Sequence, residues 1–268
     1  MTATVVTSRS LAAGRLGVGR AGYREALSFE WTKFRTARST VLTSVALAVS
    51  FPVLALVVAV TESLQPDDTV LGASVLGGAV LAQLTAAALG ALVITNEFRT
   101  GMIRTTLTAC PRRLVVLAAK ATVVAAVVFA AALPSAVAAF GIGRAMLDGD
   151  SYATGNPFPA LAGVVLAITA IGVLGVGIGT VVRQSAGAMA AVVGVVLLPG
   201  FIAPLLGGAE RWVGGASLNG VLQKMTQSSD ATPETVGSLG AWPSLAVVAG
   251  YTVVTVAGAV WVLRSRDT

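Results

Sequence analysis

The feature that most constrains this chain is a set of six long apolar stretches whose cores carry no charged residue. A helix needs about 20 mostly apolar residues to cross a hydrocarbon layer roughly 30 Å thick, and a charge at mid-bilayer costs about 2.5–3.5 kcal/mol on insertion scales. The stretches therefore predict six transmembrane helices. Lys120 lies in the first two turns of the third, from which its amine can reach the membrane interface. The predicted spans are 41–61, 70–95, 114–140, 159–182, 186–206 and 241–263.

Composition excludes the alternatives to a membrane protein. Of 268 residues, 55% are hydrophobic and 11% are charged, and the mean hydropathy is +0.85; soluble domains carry about 25% charged residues. A soluble globular enzyme and a disordered chain are both excluded. The sequence has no histidine and one cysteine, Cys110, which excludes His-based catalysis and His or multi-cysteine metal sites. The predicted fold class is an all-α integral membrane protein, with no catalytic residue and no metal site.

The distribution of Lys and Arg predicts the orientation of the spans. Segments 1–40 and 96–120, together with Arg183 and the C-terminus, hold 15 of the 18 basic residues, and acidic residues favour the alternating loops. Because basic loops stay in the cytoplasm, we predict that both termini and the second–third connection are cytoplasmic. The excess of Arg over Lys is typical of GC-rich bacterial genomes, so we expect the bacterial plasma membrane. Because the basic residues are explained by the orientation of the spans, the net positive charge does not indicate a nucleic-acid partner.

Residues 23–40 precede the first span and predict a helix at the membrane interface. Tyr23, Leu27, Trp31 and Phe34 recur at helical spacing, and an aromatic stripe with basic flanks is typical of a helix that lies among the headgroups. The alternative is a plain cytoplasmic extension of the first span. Residues 1–22, rich in Ser, Thr, Gly and Arg, predict a flexible cytoplasmic N-terminus, and residues 264–268 a cytoplasmic tail.

The second–third connection, residues 96–113, predicts a short charged helix on the cytoplasmic face. Gly101 permits a break, Pro111 ends any helix, and 102–109 is long enough for two helical turns. Such a helix is suited to docking a soluble partner. The equally weighted alternative is that its arginines only anchor the topology and contact lipid phosphates.

Three features inside the later spans and loops allow two interpretations each. Gly175 and Gly179 form a G-x-x-x-G pattern, which brings helices close in lipid either within one subunit or between two. Gln83, in the middle of the second span, either faces a translocation path or hydrogen-bonds a neighbouring helix. The loop 207–240 has partial helical spacing and either gates an exit or only caps the bundle.

Pro199 and Pro204 predict a kink or break at the outer end of the fifth span.

Two motifs and the chain ending resemble a known family. Residues 97–113 read E-F-R-x-G-x-I-R-x-T-L-x-x-x-P-R-R, and residues 30–40 read E-W-T-K-F-R-T-x-R-S-T. In these positions, with six spans and a basic ending from Arg264, the chain resembles the ABC type 2 exporter permeases. The family usually has Thr where this chain has Met102, directly after the glycine of the loop motif.

The resemblance implies a half-transporter: two membrane subunits pair, as copies or as sister permeases, and a dimer of separate ATPase subunits binds from the cytoplasm. It implies that the second and fifth spans face the dimer axis and line the path, with Gln83 as a candidate path residue. The residues that it assigns to coupling with the ATPase are Glu97, Arg99, Gly101, Arg104, Pro111, Arg112 and Arg113. Those that it assigns to the interfacial helix are Glu30, Trp31, Lys33 and Arg35.

Two observations independent of the family agree with a permease driven by a partner. The three lysines follow Thr32, Ala119 and Gln223, so these residues contain no Gly-Lys-Ser/Thr of a P-loop. The middle of the spans holds no ionisable residue of the kind that ion-coupled transporters use. We therefore expect ATP and Mg²⁺ to bind the partner and not this chain. The alternative function is a non-transporting anchor or scaffold for a cytoplasmic partner.

Overall fold

The computed structural model describes residues 22–61, 67–109, 112–147 and 152–265, with backbone only for Arg104, Leu107 and Ala109. Most of the predicted flexible N-terminus, Pro111 and residues 266–268 of the predicted tail lie outside the described residues. The described part is all helical. Its elements are α1 (Tyr23–Thr36), α2 (Arg38–Thr61), α3 (Val70–Thr100), α4 (Met102–Ala109), α5 (Arg113–Leu147), α6 (Pro157–Val182), α7 (Ser185–Ile202), a 3₁₀ segment (Ala203–Ala209), α8 (Glu210–Ala216), α9 (Leu218–Thr226), α10 (Pro233–Val236) and α11 (Ala241–Ser265).

Six of these helices are long and apolar enough to cross a membrane, as the sequence predicts: α2, α3, α5, α6, α7 and α11. At one end of the bundle, here called the α4 end, Arg113 of α5 donates a hydrogen bond to the carbonyl of Leu263 in α11. At the other, the α9 end, Ser229 donates to Asp68 at 2.6 Å. The alternating connections that differ in basic charge thus lie at opposite ends of the bundle.

Helices α3 and α6 form the centre of the bundle and pack through small residues. A methyl group at Gly90 of α3 would overlap the backbone of Gly172 in α6, and one at Gly175 would overlap the backbone of Ala87. A methyl group at Gly179 would lie 2.9 Å from the Ala91 carbonyl oxygen. In lipid, where apolar burial gives little driving force between helices, such close backbone approach supplies the packing energy. The G-x-x-x-G pattern therefore packs helices within this subunit.

All six spanning helices differ by at least one residue from their predicted bounds, and the differences at the ends of the third and fifth have a local structural cause. The third continues from residue 140 to Leu147, because Gly143 packs on Ser74 of α3 and keeps the added turns against the bundle. The fifth ends as a regular helix at Ile202, and a 3₁₀ segment follows from Ala203, which includes Pro204 and in which Gly207 has φ 52°. A left-handed residue cannot continue an α-helix, so the predicted break at this end is confirmed.

The segment after the fifth span folds against the α9 end of the bundle. The apolar side chains of α9 are buried, among them Leu222 and Met225, and Met225 packs against Gly163 of α6. Gln227 donates to the backbone carbonyl of Asn156 at 3.4 Å. Trp212 of the neighbouring helix α8, by contrast, is 70% exposed.

A topology measurement tests which end lies in the cytoplasm. In a Cys110→Ala background, Thr105→Cys on α4 and Asp230→Cys near α9 place single thiols at exposed positions of the two ends. On intact bacteria, a membrane-impermeant maleimide should label Asp230→Cys, and should label Thr105→Cys only after permeabilisation. The reverse pattern would contradict the orientation predicted from basic residues.

A packing measurement tests the α3–α6 contact. Gly90→Ala and Gly175→Ala force the two backbones apart and should each lower the free energy of unfolding by roughly 1–3 kcal/mol. Thermal unfolding in detergent measures the loss. Gly141→Ala on α5 is the matched control, because nothing lies within 4 Å of the added methyl group; equal melting of all three variants would refute the contact.

Candidate functional site

Helix α1 brings an acidic residue to the bundle on its buried face. Its buried positions are Ala26, Glu30 and Phe34, which recur every fourth residue, whereas Trp31 of the predicted aromatic stripe is 44% exposed. The Tyr23 hydroxyl donates to Thr122 Oγ1 of α5 at 2.7 Å, which ties the start of α1 to the bundle. The buried face thus shares Phe34 with the aromatic stripe, and it also carries a carboxylate, that of Glu30.

Four charged side chains from three helices meet at the α4 end and form what we call the ion cluster: Glu30 and Lys33 of α1, Glu97 of α3 and Lys120 of α5. The Lys120 amine lies 2.5 Å from Glu30 Oε2 and 2.6 Å from Glu97 Oε1. Lys33 pairs with Glu30 Oε1 at 3.1 Å and also with Glu97 Oε1. Two positive and two negative charges therefore compensate each other where little water reaches them.

The structure shows how the charge of Lys120 is accommodated. Its side chain is 1% exposed, so its amine is buried between helices of the chain. An unpaired ammonium buried among apolar helices would be strongly unfavourable. Ion pairs with two carboxylates instead compensate the charge inside the protein.

The local sequence explains how Glu97 reaches this cluster. It lies in the last turn of α3, where Gly101 adopts φ 72° and ends the helix. Glycine is favoured there because a left-handed conformation is strained for other residues. Helix α4 then starts at Met102, so the predicted break and the predicted short helix are both present; whether α4 docks a partner stays a prediction.

A cavity of about 470 Å³ lies beside the ion cluster. Its walls include the whole cluster, Arg38 and Ser39 at the start of α2, and Arg99 and Met102 at the turn between α3 and α4. These last four residues are exposed, so the cavity opens to the surface. Glu97 Oε2 is buried and has no hydrogen-bond partner among the described residues.

The structure brings only some of the predicted coupling and interfacial residues together. Glu30, Lys33, Glu97 and Arg99 all line this cavity. Arg112 and Arg113 lie elsewhere, beside the end of α11. Trp31, Arg35 and Arg112 are exposed, whereas the buried Glu30 and Glu97 cannot contact a soluble partner directly in this conformation. Their predicted part in coupling would act through the helices that they join.

Gln83 is fully buried inside the protomer, and neither its amide nitrogen nor its amide oxygen has a hydrogen-bond partner among the described residues. It therefore does not form a hydrogen bond to a neighbouring helix, which is the alternative interpretation to a position on a translocation path. An unsatisfied buried amide is unfavourable, which marks the position as unusual. Its place in a translocation path stays a prediction.

Reasoning from sequence missed Lys120 as a member of the site. Its signal was present, because Lys120 is the one charged residue within the long apolar run 114–140. A lysine at such a position needs a carboxylate, and Glu97 is the only acid between the second and third spans. Glu30, 90 residues away along the chain, could not be paired with it by spacing alone.

The α9 end carries a different kind of polar group. The Lys224 amine donates to Ser244 Oγ at 3.0 Å, and partial burial lowers the pKa of this amine. No group of three or more His, Cys, Asp or Glu residues that could hold a metal occurs in the described ranges.

Comparisons of the chain with protein-family models, with curated proteins and with solved structures gave no match. The resemblance to exporter permeases thus depends on the two motifs and their placement next to the spans.

The ion cluster should stabilise the α4 end. Lys120→Met leaves Glu30 and Glu97 buried with Lys33 as the only cation in the cluster, and breaking a buried pair in this way costs about 3–5 kcal/mol. Thermal unfolding in detergent should show this loss. Lys33→Met should cost less, because the Lys33 side chain is 19% exposed.

Two comparisons isolate the electrostatic cause. Arg35→Gln removes an exposed charge from the same helix and should leave the melting temperature unchanged. The double variant Glu97→Gln/Lys120→Met keeps one acid and one base, so its loss should be smaller than the sum of the two single losses. If the loss of stability in the double variant equals the sum of the two single losses, the charged groups of the cluster do not stabilise one another.

Proposed function

We propose that this chain is the membrane-spanning permease subunit of an ATP-driven exporter, and that a separate cytoplasmic ATPase drives it. The observation that carries the proposal is the ion cluster, which joins α1, the end of α3 and the start of α5 at the end of the bundle that holds α4. These are the segments that resemble the motifs of the permease family.

The ion cluster supplies a physical route for coupling. A partner that moves α1 or α4 would also move α3 and α5, because separating the buried pairs is strongly unfavourable. Helix α3 packs against α2, α5, α6 and α7, so a displacement at its end reaches most of the bundle. The movement of a docked subunit would thereby be transmitted to the spans.

The α4 end also offers charge for docking. Arg35, Arg99 and Arg112 are exposed there, and complementary acidic residues on a soluble ATPase would favour association and orientation. ATP and Mg²⁺ would bind to that ATPase, in keeping with the missing P-loop motif in the residues of this chain.

The proposal also includes a translocation path between two membrane subunits. In the apolar 18-residue stretch of the span that contains α7, only 17% of the residues are buried, whereas in the corresponding stretch of α3 56% are buried. Helix α3 still leaves a partly exposed stripe, on which Leu81 is 43% exposed. These free surfaces leave room for a second membrane subunit, and the resemblance to the permease family implies that the second and fifth spans line the path. Gln83 would join that path only after α3 and its neighbours rearrange, and the α8–α10 segment would lie at its exit.

Purification from the native membrane tests the proposal. In mild detergent, a P-loop ATPase should copurify with the wild-type chain, and the purified chain alone should have no ATPase activity. Arg99→Glu and Arg112→Glu should each reduce the recovered ATPase about tenfold or more, because like charges across an interface are strongly unfavourable. The matched control is Arg211→Glu, an exposed charge at the α9 end, which should retain the partner.

Reconstitution separates the exporter from the anchor. ATP-dependent movement of cargo by the complex supports a permease, whereas a stable complex whose ATPase moves nothing supports a scaffold. Transport by the chain alone in proteoliposomes would contradict the proposal, since the energy would then not come from a partner.

A further inference from the structure

We propose that the cavity beside the ion cluster binds the headgroup of phosphatidic acid, a phosphate monoester, and that Arg38 and Arg99 hold the phosphate. The inference does not depend on the exporter proposal. It follows from a cavity with an excess of two positive charges, from side-chain donors that lack an acceptor, and from an apolar stripe that leads from the cavity along α2.

The wall of the cavity has an excess of positive charge at its exposed surface. Its ionisable residues sum to a formal charge of two positive units: Glu30, Glu97, Lys33, Lys120, Arg38 and Arg99. The side chains of both glutamates and of Lys120 are at most 5% exposed, and together with Lys33 they pair within the ion cluster. The charge that a ligand meets in the cavity is therefore that of the two exposed arginines.

The cavity also presents side-chain donors from two helices. Neither Arg38 nor Arg99 makes a hydrogen bond or an ion pair with a residue of the described ranges. The Ser39 hydroxyl and the Asn96 amide line the same cavity, and no side-chain hydrogen bond of either occurs within those ranges. Arginine forms paired hydrogen bonds with phosphate oxygens. A phosphate in the cavity would thus lie between the first turn of α2 and the last two turns of α3, both of which offer donors.

A phosphate monoester compensates the charge of this wall. Such a group carries a charge of about −1.5 to −2 at pH 7 and three acceptor oxygens, which matches two arginines. A phosphodiester carries a single negative charge, and a zwitterionic headgroup has no net charge, so both would leave an excess of positive charge in the cavity. The charge balance therefore favours a monoester over the other phospholipid headgroups.

The position of the cavity favours a lipid over a soluble phosphate compound. It lies where α2 begins and α3 ends, and spanning helices end at the level of the headgroups. Helical spacing places Leu42, Val45 and Val49 on the same face of α2 as Arg38, and these three side chains are 68%, 52% and 46% exposed. The acyl chains of a lipid whose phosphate binds Arg38 would therefore lie along an apolar stripe of the protein.

Native mass spectrometry of the full chain, purified alone in detergent, tests the site with a charge series. Dipalmitoyl phosphatidic acid, phosphatidylglycerol and phosphatidylcholine have the same acyl chains and carry about two, one and no net negative charges in mildly alkaline buffer. Retention of phosphatidic acid should exceed that of phosphatidylcholine about tenfold or more, the effect of one additional hydrogen bond between charged groups, with phosphatidylglycerol in between. Equal retention of phosphatidic acid and phosphatidylglycerol would overturn the monoester assignment.

Variants test the two arginines. Arg38→Gln/Arg99→Gln should abolish the excess retention of phosphatidic acid. Arg35→Gln is the matched control, because Arg35 is an exposed arginine of α1 that does not line this cavity, and it should preserve the excess. All three arginines are exposed, and the wild-type lipid series is informative by itself if a variant fails to fold. A folded double variant that retains the preference for phosphatidic acid would overturn the assignment of the phosphate to Arg38 and Arg99.

Soluble probes separate a lipid site from a site for free phosphate. Glycerol 3-phosphate and inorganic phosphate carry the same charged group without acyl chains, and they should be retained much more weakly than phosphatidic acid. Binding of either as tight as that of the lipid would overturn a lipid site. Arg38→Gln alone also distinguishes this proposal from the exporter proposal, because Arg38 is not among the arginines proposed to dock the ATPase. This variant should weaken the retention of phosphatidic acid while the ATPase still copurifies.

Discussion

Burial of charge governs the architecture of the α4 end. None of the four residues of the ion cluster could be buried alone at an acceptable cost, because desolvation of a single charge exceeds what packing returns. Burial is possible only when α1, α3 and α5 pack together so that each charged group contacts one of opposite charge. The cluster therefore fixes the position of α1 relative to the spans, which general hydrophobicity does not do, since lipid would accept many positions of an amphipathic helix.

The spans were predictable because their signal is collective. Long uncharged runs identify six helices without any knowledge of packing, and the structure contains six such helices. Their ends were less predictable, because they depend on single contacts: Gly143 against Ser74 extends α5, and Gly207 in a left-handed conformation ends the helical path after α7. Periodicity also predicted the helix α1, but it did not predict that Glu30 lies on the face of α1 that packs against the bundle. Whether the aromatic stripe lies among the headgroups stays a prediction.

The candidate site was only half predictable for a related reason. The motifs identified Glu30, Lys33 and Glu97 as members of two segments that are predicted to be cytoplasmic, but sequence reasoning treats charged residues as facing water or headgroups. In the structure Glu30 and Glu97 face inward and meet Lys120. The lone lysine in an apolar run was the available signal, and its partners became visible only when the chain brought distant helices together. Likewise, the sequence left Gln83 with two interpretations, and the structure removes its hydrogen-bond alternative without placing it on a path.

The bundle divides into a tightly packed centre and helices that leave much of their surface free. In the apolar 18-residue stretches of α3 and α6 more than half of the residues are buried, but in those of the spans that contain α2, α7 and α11 less than a quarter are. In water such exposure would be a severe penalty; in a bilayer the lipid chains are as apolar as the side chains, so free faces cost little. The close α3–α6 contact and the ion cluster therefore hold the centre and the α4 end of the bundle together, while α7 can change neighbours at low cost. The proposed permease, in which one part would transmit a movement and another would open a path, would use this combination.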